Sequence, residues 1–294
     1  MDHTKRNIIL YTIGAVVLFF VFNIASYATY DALRSGSNLF SGSDSDSDFS
    51  SDDEGYDGSC NVRGLAIHGD MYTYIPQTAL DDPMYAAEYG YADAVSSEYI
   101  VDEIYSAESD PDIKAIMLDV DSYGGSPVAG EEIATAIRTA TKPVIAFIRG
   151  AGVSSGYWAV TTADRIFASK NSDVGSIGVT MSYVENVDQN EFDGLNYVQL
   201  ISGKYKDAGS PDRKLTEEEK SIFQRDLKIM HENFIQEVAT NRNIPVEKVR
   251  AIADGSSMLG ERAKELGLID AIGGYNEAKR YAEEKIGEKV IACW

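Results

Sequence analysis

The residues best placed to do chemistry are in the stretch Gly150-Ala151-Gly152-Val153-Ser154-Ser155-Gly156-Tyr157-Trp158-Ala159-Val160. It follows the apolar run Val144 to Ile148, which reads as a buried strand, and turns through small residues into a segment that continues as a helix. A serine at such a turn lies beside backbone N–H groups that have no intrahelical partner, at the positive end of the helix. That placement suits a nucleophile whose reaction builds an oxyanion. The same residue types also suit an ordinary Gly/Ser loop capping a helix.

Two further sites could serve such a serine. The glycine turn Asp121-Ser122-Tyr123-Gly124-Gly125-Ser126-Pro127 follows another buried run and can present backbone N–H groups. A serine hydroxyl also needs a base. Lys206, in Ser202-Gly203-Lys204-Tyr205-Lys206-Asp207, sits in a small-residue turn that could enclose it. A lysine takes a proton only when neutral, and burial favours that form by disfavouring the ammonium. Its competing role is a surface ion pair with Asp207. Of the three histidines, His3 lies near the N-terminus and His231 falls within a long helix. His68, ending the first strand, is the one able to replace the lysine.

The elements that must position these groups alternate between strand and helix. Val62 to Ile67, Ile113 to Val120, Val144 to Ile148, Arg165 to Ala168, Ile177 to Met181 and Tyr197 to Ile201 read as strands. Ser96 to Ala107 has helical spacing. Another helix opens with Ser126 as N-cap and Pro127 in its first turn, with Val128, Ile133 and Ile137 facing the core. A long helix begins at Thr216, with Glu219 in capping-box spacing, and carries Phe223, Leu227, Met230, Phe234 and Val238 on one face. Pro245 ends it, and helices at Arg262 to Leu266 and Tyr275 to Ile286 complete the chain. This alternation predicts an α/β architecture.

Composition narrows the partners. The 294 residues carry a net charge of −21, which repels a phosphate backbone and excludes nucleic acid as a partner. The two cysteines, Cys60 and Cys293, lack metal-ligand spacing, so neither a metal nor any other cofactor is expected. They flank the folded part and suit either one terminal disulfide outside the cytosol or two free thiols.

The N-terminal region divides by composition into residues 1–7, facing the cytoplasm, and a membrane anchor over 8–28. Lys5 and Arg6 precede the anchor and acidic residues follow it, so the bulk of the chain is expected outside the cytoplasm. A cleaved signal peptide is the competing reading, with Ser26-Tyr27-Ala28 as its cleavage site. Residues 29–59, rich in Gly, Ser and Asp, read as a disordered linker, and 60–294 as the folded domain.

The motifs resemble those of the signal peptide peptidase A family, serine–lysine peptidases of the ClpP/crotonase-like superfamily, in their short single-repeat form. The family's Ala-Ser-Gly-Gly-Tyr-Tyr motif is matched by Val153 to Trp158, and its Ser-Pro-Gly-Gly-Ser turn by Ser122 to Ser126. Its Gly-Ser-(Ile/Leu)-Gly-Val segment is matched by Gly175 to Val179, and Ser-Gly-x-x-Lys-Asp by Ser202 to Asp207. The resemblance implies a fold of repeated strand–strand–helix units and a membrane-anchored endopeptidase. Ser154 would be the nucleophile, Lys206 the general base and Ser176 the lysine's hydrogen-bond partner. The N–H groups of Gly124 and Ser155 would form the oxyanion hole, with Gly125, Gly152 and Val153 along the substrate. It further implies apolar peptides such as signal-peptide remnants as substrates, and a homo-oligomeric ring, an octamer, whose neighbours shape or share the site. Two positions depart from the pattern: Ser155 stands for a glycine and Tyr123 for a proline. A crotonase-like acyl-CoA enzyme and a non-catalytic ring-forming scaffold are the rival readings.

Overall fold

The computed structural model describes residues 60–294, so the expected cytoplasmic segment, anchor and linker lie outside the described residues. No helix among those described is long and apolar enough to cross a membrane.

In chain order the domain runs β1 (Val62–Tyr72), α1 (Gln77–Asp81), α2 (Pro83–Glu88), β2 (Ala94–Ser96), α3 (Ser97–Ser109), β3 (Ala115–Gly125) and α4 (Pro127–Thr139). It continues with β4 (Val144–Val153), α5 (Ser155–Val160), β5 (Arg165–Ala168), β6 (Asp173–Gly175), α6 (Val187–Phe192) and α7 (Glu217–Asn241). Then come α8 (Val246–Arg250), β7 (Ser257–Leu259), α9 (Gly260–Glu265), β8 (Ala271–Ile272), α10 (Tyr275–Ile286) and β9 (Ala292–Cys293).

The strands form a parallel sheet in the order β2-β1-β3-β4-β5-β8, with β9 parallel to the start of β1. β6 continues beside the end of β4 and pairs antiparallel with β7. Such a sheet needs both faces covered, which is why β3 and β4 read as near-continuous apolar runs. On one face Ile116, Leu118, Ala146 and Ile148 pack beneath helices that include α3, α4 and α5. On the other, Met117, Ile145 and Phe147 meet Ala278 and Ala282 of α10. The expected α/β architecture is present.

Both glycine-bearing strands run further than their apolar cores suggest. β3 continues through Gly124 and Gly125, and β4 through Gly152 and Val153. β1 also passes His68 and Gly69, with a register shift between His68 and Asp70. Two expected strands are absent from the sheet. Residues 177–181 and 197–201 carry no regular structure: these short apolar stretches pair with no strand among the described residues. Val128, expected in the core, is exposed. On α7 the capping box of Thr216 and Glu219 forms as read, but only the second half of the expected apolar face, at Phe234 and Val238, is fully buried.

Cys60 and Cys293 form a disulfide, which resolves the two alternatives left by the sequence. It ties the start of the domain to β9, where Asn61 N–H also donates to the Ile291 carbonyl.

Candidate active site

Ser154 stands between the end of β4 and the start of α5, at φ 53° and ψ −130°. Few non-glycine residues occupy such a conformation, and it persists only where the surroundings hold it. Its N–H donates to the Gly175 carbonyl at 2.8 Å, and its carbonyl accepts from Tyr157 and Trp158 in the first turn of α5. The Ser154 side chain makes no capping bond to the helix, so the hydroxyl stays available to the cleft it lines.

Ser155 differs. It is buried, and its Oγ lies 3.9 Å from Met71 Sδ. Of the two adjacent serines, only Ser154 lines the cleft. As the first residue of α5, Ser155 has an N–H without an intrahelical partner.

The Gly124 turn lies directly against this serine. A Cβ added at Gly124, whose φ is +101°, would stand 2.8 Å from Ser154 Cβ and 3.1 Å from both Ser154 Oγ and Ser155 N. The Gly124 N–H donates to Ser122 Oγ at 3.0 Å, and Ser122 Oγ in turn donates to the Gly69 carbonyl. Of the two expected oxyanion donors, Gly124 is therefore already engaged. Gly156 permits the same close approach from the helix side, since a Cβ there would meet Ser122 at 3.1 Å.

The cleft holds about 560 Å³ and is lined by residues that include Tyr123, Gly125, Ser154, Ser176, Thr180 and His231. Ser176, like Ser154, has positive φ, and its hydroxyl donates to the Gly255 carbonyl at 2.8 Å. Tyr157 belongs to the scaffold: its hydroxyl donates to the Leu268 carbonyl, and complete burial pushes the phenol's pKa up. Trp158 stacks on Phe234 of α7 with ring centroids 4.5 Å apart, fixing that helix over the serine turn.

Ser154, Ser176 and Gly125 line this cleft, and Gly124 lies against Ser154 and the Ser155 nitrogen. Gly152 and Val153 do not line the cleft. Both are buried within β4, because the strand runs to its last residue before the turn. Lys206 is exposed and is not among the residues lining the cleft of its own chain. Its neighbour Asp207 is held by Arg213 at 2.9 Å, with Tyr197 and Gln199 also donating, so the competing reading of Lys206 as the ion-pair partner of Asp207 gives way to an arginine. Arg213 also clamps Glu219, which roots the Lys206 turn to the start of α7. His68 lies away from the cleft lining, its Nε2 3.2 Å from Asp119, which Arg149 also binds through two nitrogens. The histidine in the cleft is instead His231. The helical reading of α7 concealed it, since its spacing says nothing about which end of the sheet the helix crosses.

The sequence matches peptidase family S49 over residues 136–289, just over half of the chain. It is 34% identical over 190 residues to a protein of Methanocaldococcus jannaschii, covering 64% of this chain and 61% of that one. A chloroplastic serine protease SPPA of Arabidopsis thaliana is 31% identical over 195 residues, 65% of this chain and 29% of its own. Protease 4 of Salmonella typhi is 34% identical over 198 residues, 65% of this chain and 31% of its own. The matched segments therefore span less than two thirds of these relatives. A ClpP1 variant of Listeria monocytogenes superposes on 74% of the chain with a TM-score of 0.43 and 14% identity. On the match to the family and these SppA-type relatives, the chain belongs to peptidase family S49.

Proposed function

We propose that the chain is a serine endopeptidase in which Ser154 attacks the peptide carbonyl and Lys206 takes its proton. The observation that carries this reading is the Ser154 hydroxyl, free of the helix, presented to a cleft from a strained backbone with the Ser155 N–H beside it. Attack turns the carbonyl oxygen into an oxyanion, which the Ser155 N–H stabilises. The Gly124 N–H joins it by exchanging its Ser122 partner for the oxyanion. Collapse of the intermediate expels the amine, which takes the proton from Lys206, and water then releases the acyl group by the same route.

Lys206 needs a covering surface to become neutral, and its own chain leaves it exposed. A second copy supplies that surface. Exposed apolar residues crowd the same segment, among them Val184, Phe192, Val198 and Leu200. Large exposed apolar surface of this kind marks an interface. The assembly is a homo-oligomeric ring, an octamer, in which Lys206 of one copy meets Ser154 of the next, with Ser176 orienting the amine. Residues 8–28 anchor the ring to the membrane with its catalytic domains outside the cytoplasm, close to apolar peptides such as signal-peptide remnants.

The test is cleavage of an apolar fluorogenic peptide by the full chain. Ser154→Ala and Lys206→Ala should each abolish it while circular dichroism stays that of the wild type. Full activity in Ser154→Ala would overturn the reading, and full activity in Lys206→Ala would overturn the dyad. An acylating probe that labels Ser154 separates a working enzyme from a non-catalytic scaffold.

A further inference from the structure

A second groove adjoins the Ser154 cleft at the start of α4. Pro127 lines the cleft, and the next residue, Val128, lines the groove. The groove holds about 710 Å³ and is walled by α3 and α4. Each helix presents a stripe to it at helical spacing: Glu98, Asp102 and Tyr105 from α3, and Val128, Glu131 and Glu132 from α4. All six side chains are exposed, Tyr105 to 51% and Val128 to 50%. The face is therefore part apolar, part charged and open to an incoming chain.

Neither helix brings a cation to these carboxylates. α3 holds no lysine or arginine, and the one on α4, Arg138, pairs with Glu237. The cations that flank α3 in the chain are Arg63 and Lys114, and they pair with Glu103 and Glu288. Glu132 accepts from the Ser97 hydroxyl, a neutral donor that leaves its charge in place. Tyr74 lines the groove beside Tyr105, and a cation gains on an exposed ring face as well as beside a carboxylate. An anionic segment would meet like charge, and a neutral one would leave the carboxylates without a counter-charge. The occupant that complements this face is cationic. From Glu98 to Tyr105 the stripe runs about 10 Å, the span of about three residues of extended chain.

We propose that this groove binds a lysine- or arginine-bearing stretch of the same peptide whose apolar part enters the Ser154 cleft. Continuity of cleft and groove through Pro127 and Val128 puts both on one path, which favours the substrate over a separate partner. The inference rests on the peptidase reading for the meaning of the cleft. It adds a basic stretch outside the segment that is cut.

The experiment uses the full chain in detergent and an apolar fluorogenic peptide with a tri-lysine, tri-alanine or tri-glutamate flank at either end. Wild type should favour the tri-lysine flank at one end over tri-alanine by roughly tenfold in kcat/KM, carried by KM, as expected of a few exposed ion pairs. Tri-glutamate at that end should be the poorest. The gain should shrink towards one at about 1 M salt, where the screening length is about 3 Å. A double variant, Asp102→Asn with Glu131→Gln, should lose most of the gain and keep the wild-type rate on the tri-alanine peptide. The same peptides are titrated by fluorescence anisotropy against Ser154→Ala, with and without the two groove substitutions. A binding preference for tri-lysine that depends on the groove, without any cleavage by wild type, would remove the peptidase reading and leave the groove's cationic occupant standing. Cleavage with no preference for tri-lysine at either end would overturn the inference and leave the peptidase reading intact. A preference that the double variant keeps would also overturn it, and a smaller assembly of that variant in sedimentation would then give the groove to a second copy.

Discussion

Gly124 abuts Ser154 so closely that any side chain at 124 would collide with the serine's Cβ. Gly124→Ala therefore has two consequences. The alanine must hold a positive φ, which costs about 1–3 kcal/mol of stability, and it pushes against Ser154 Oγ and the Ser155 N–H. We expect the folded variant to lose on the order of 10²–10³ in kcat, the usual cost of a lost oxyanion donor. Steady-state kinetics with a thermal melt checks both, and a near-wild-type kcat would remove the 124 turn from the site.

If Lys206 acts on the Ser154 of a neighbouring copy, two inactive variants should repair one another. Co-assembled Ser154→Ala and Lys206→Ala chains place an intact serine beside an intact lysine at about a quarter of the sites of a mixed ring with one neighbour per site. Activity should recover to that order. A mixture that stays inactive after confirmed co-assembly would put both groups on one chain.

The Arg213 clamp makes the Lys206 turn sensitive to acid. Arg213, then the Thr216 N–H, holds the Glu219 carboxyl down to about 2 from its usual 4.5, and Arg213 with Tyr197 lowers Asp207. Both carboxyls are depressed in the folded chain, so their stabilisation is complete above the unfolded value and fades as pH falls through the folded one. Pepsin cleavage within residues 203–215 should therefore increase as pH drops from about 4.5 towards 2. Arg213→Ala should remove most of this dependence and lower peptidase activity at neutral pH. Cleavage of this segment that is equally fast at both pH values in the wild type would argue against the clamp.

The Cys60–Cys293 bridge closes nearly the whole domain into one loop. Cross-linking so long a loop restrains the unfolded chain, and its loss typically costs about 2–5 kcal/mol. Calorimetry of the full chain should show Tm falling on addition of reductant and in Cys293→Ser, with no further fall when both are combined. An unchanged Tm would mean that β9 is held by its backbone pairing alone.

The residues of the site were legible in the sequence to different depths. Ser154 and Gly124 could be found because each lies where a buried apolar strand meets small residues before a helix, a pattern set by local chain geometry. Lys206 and Ser176 could be named from motif spacing, but spacing does not say which surface a lysine faces. Residues 177–201 contain strand-like stretches that do not become strands, because local residue pattern marks a stretch as strand-like while pairing with another strand depends on tertiary contacts. His231 carried no signal at all, since a histidine on a helix looks alike whether it faces solvent or a cleft.

The sequence by itself determined the α/β order, the two glycine turns, the capping box that starts α7 and the serine with a chemically suitable setting. Each depends on interactions within a few residues along the chain. Only the tertiary structure decided that Ser155 is buried while Ser154 lines the cleft, that Arg213 holds Asp207, that the two cysteines meet, and that His231 lines the cleft. These depend on contacts between residues distant in sequence, which strand register and helix packing bring together.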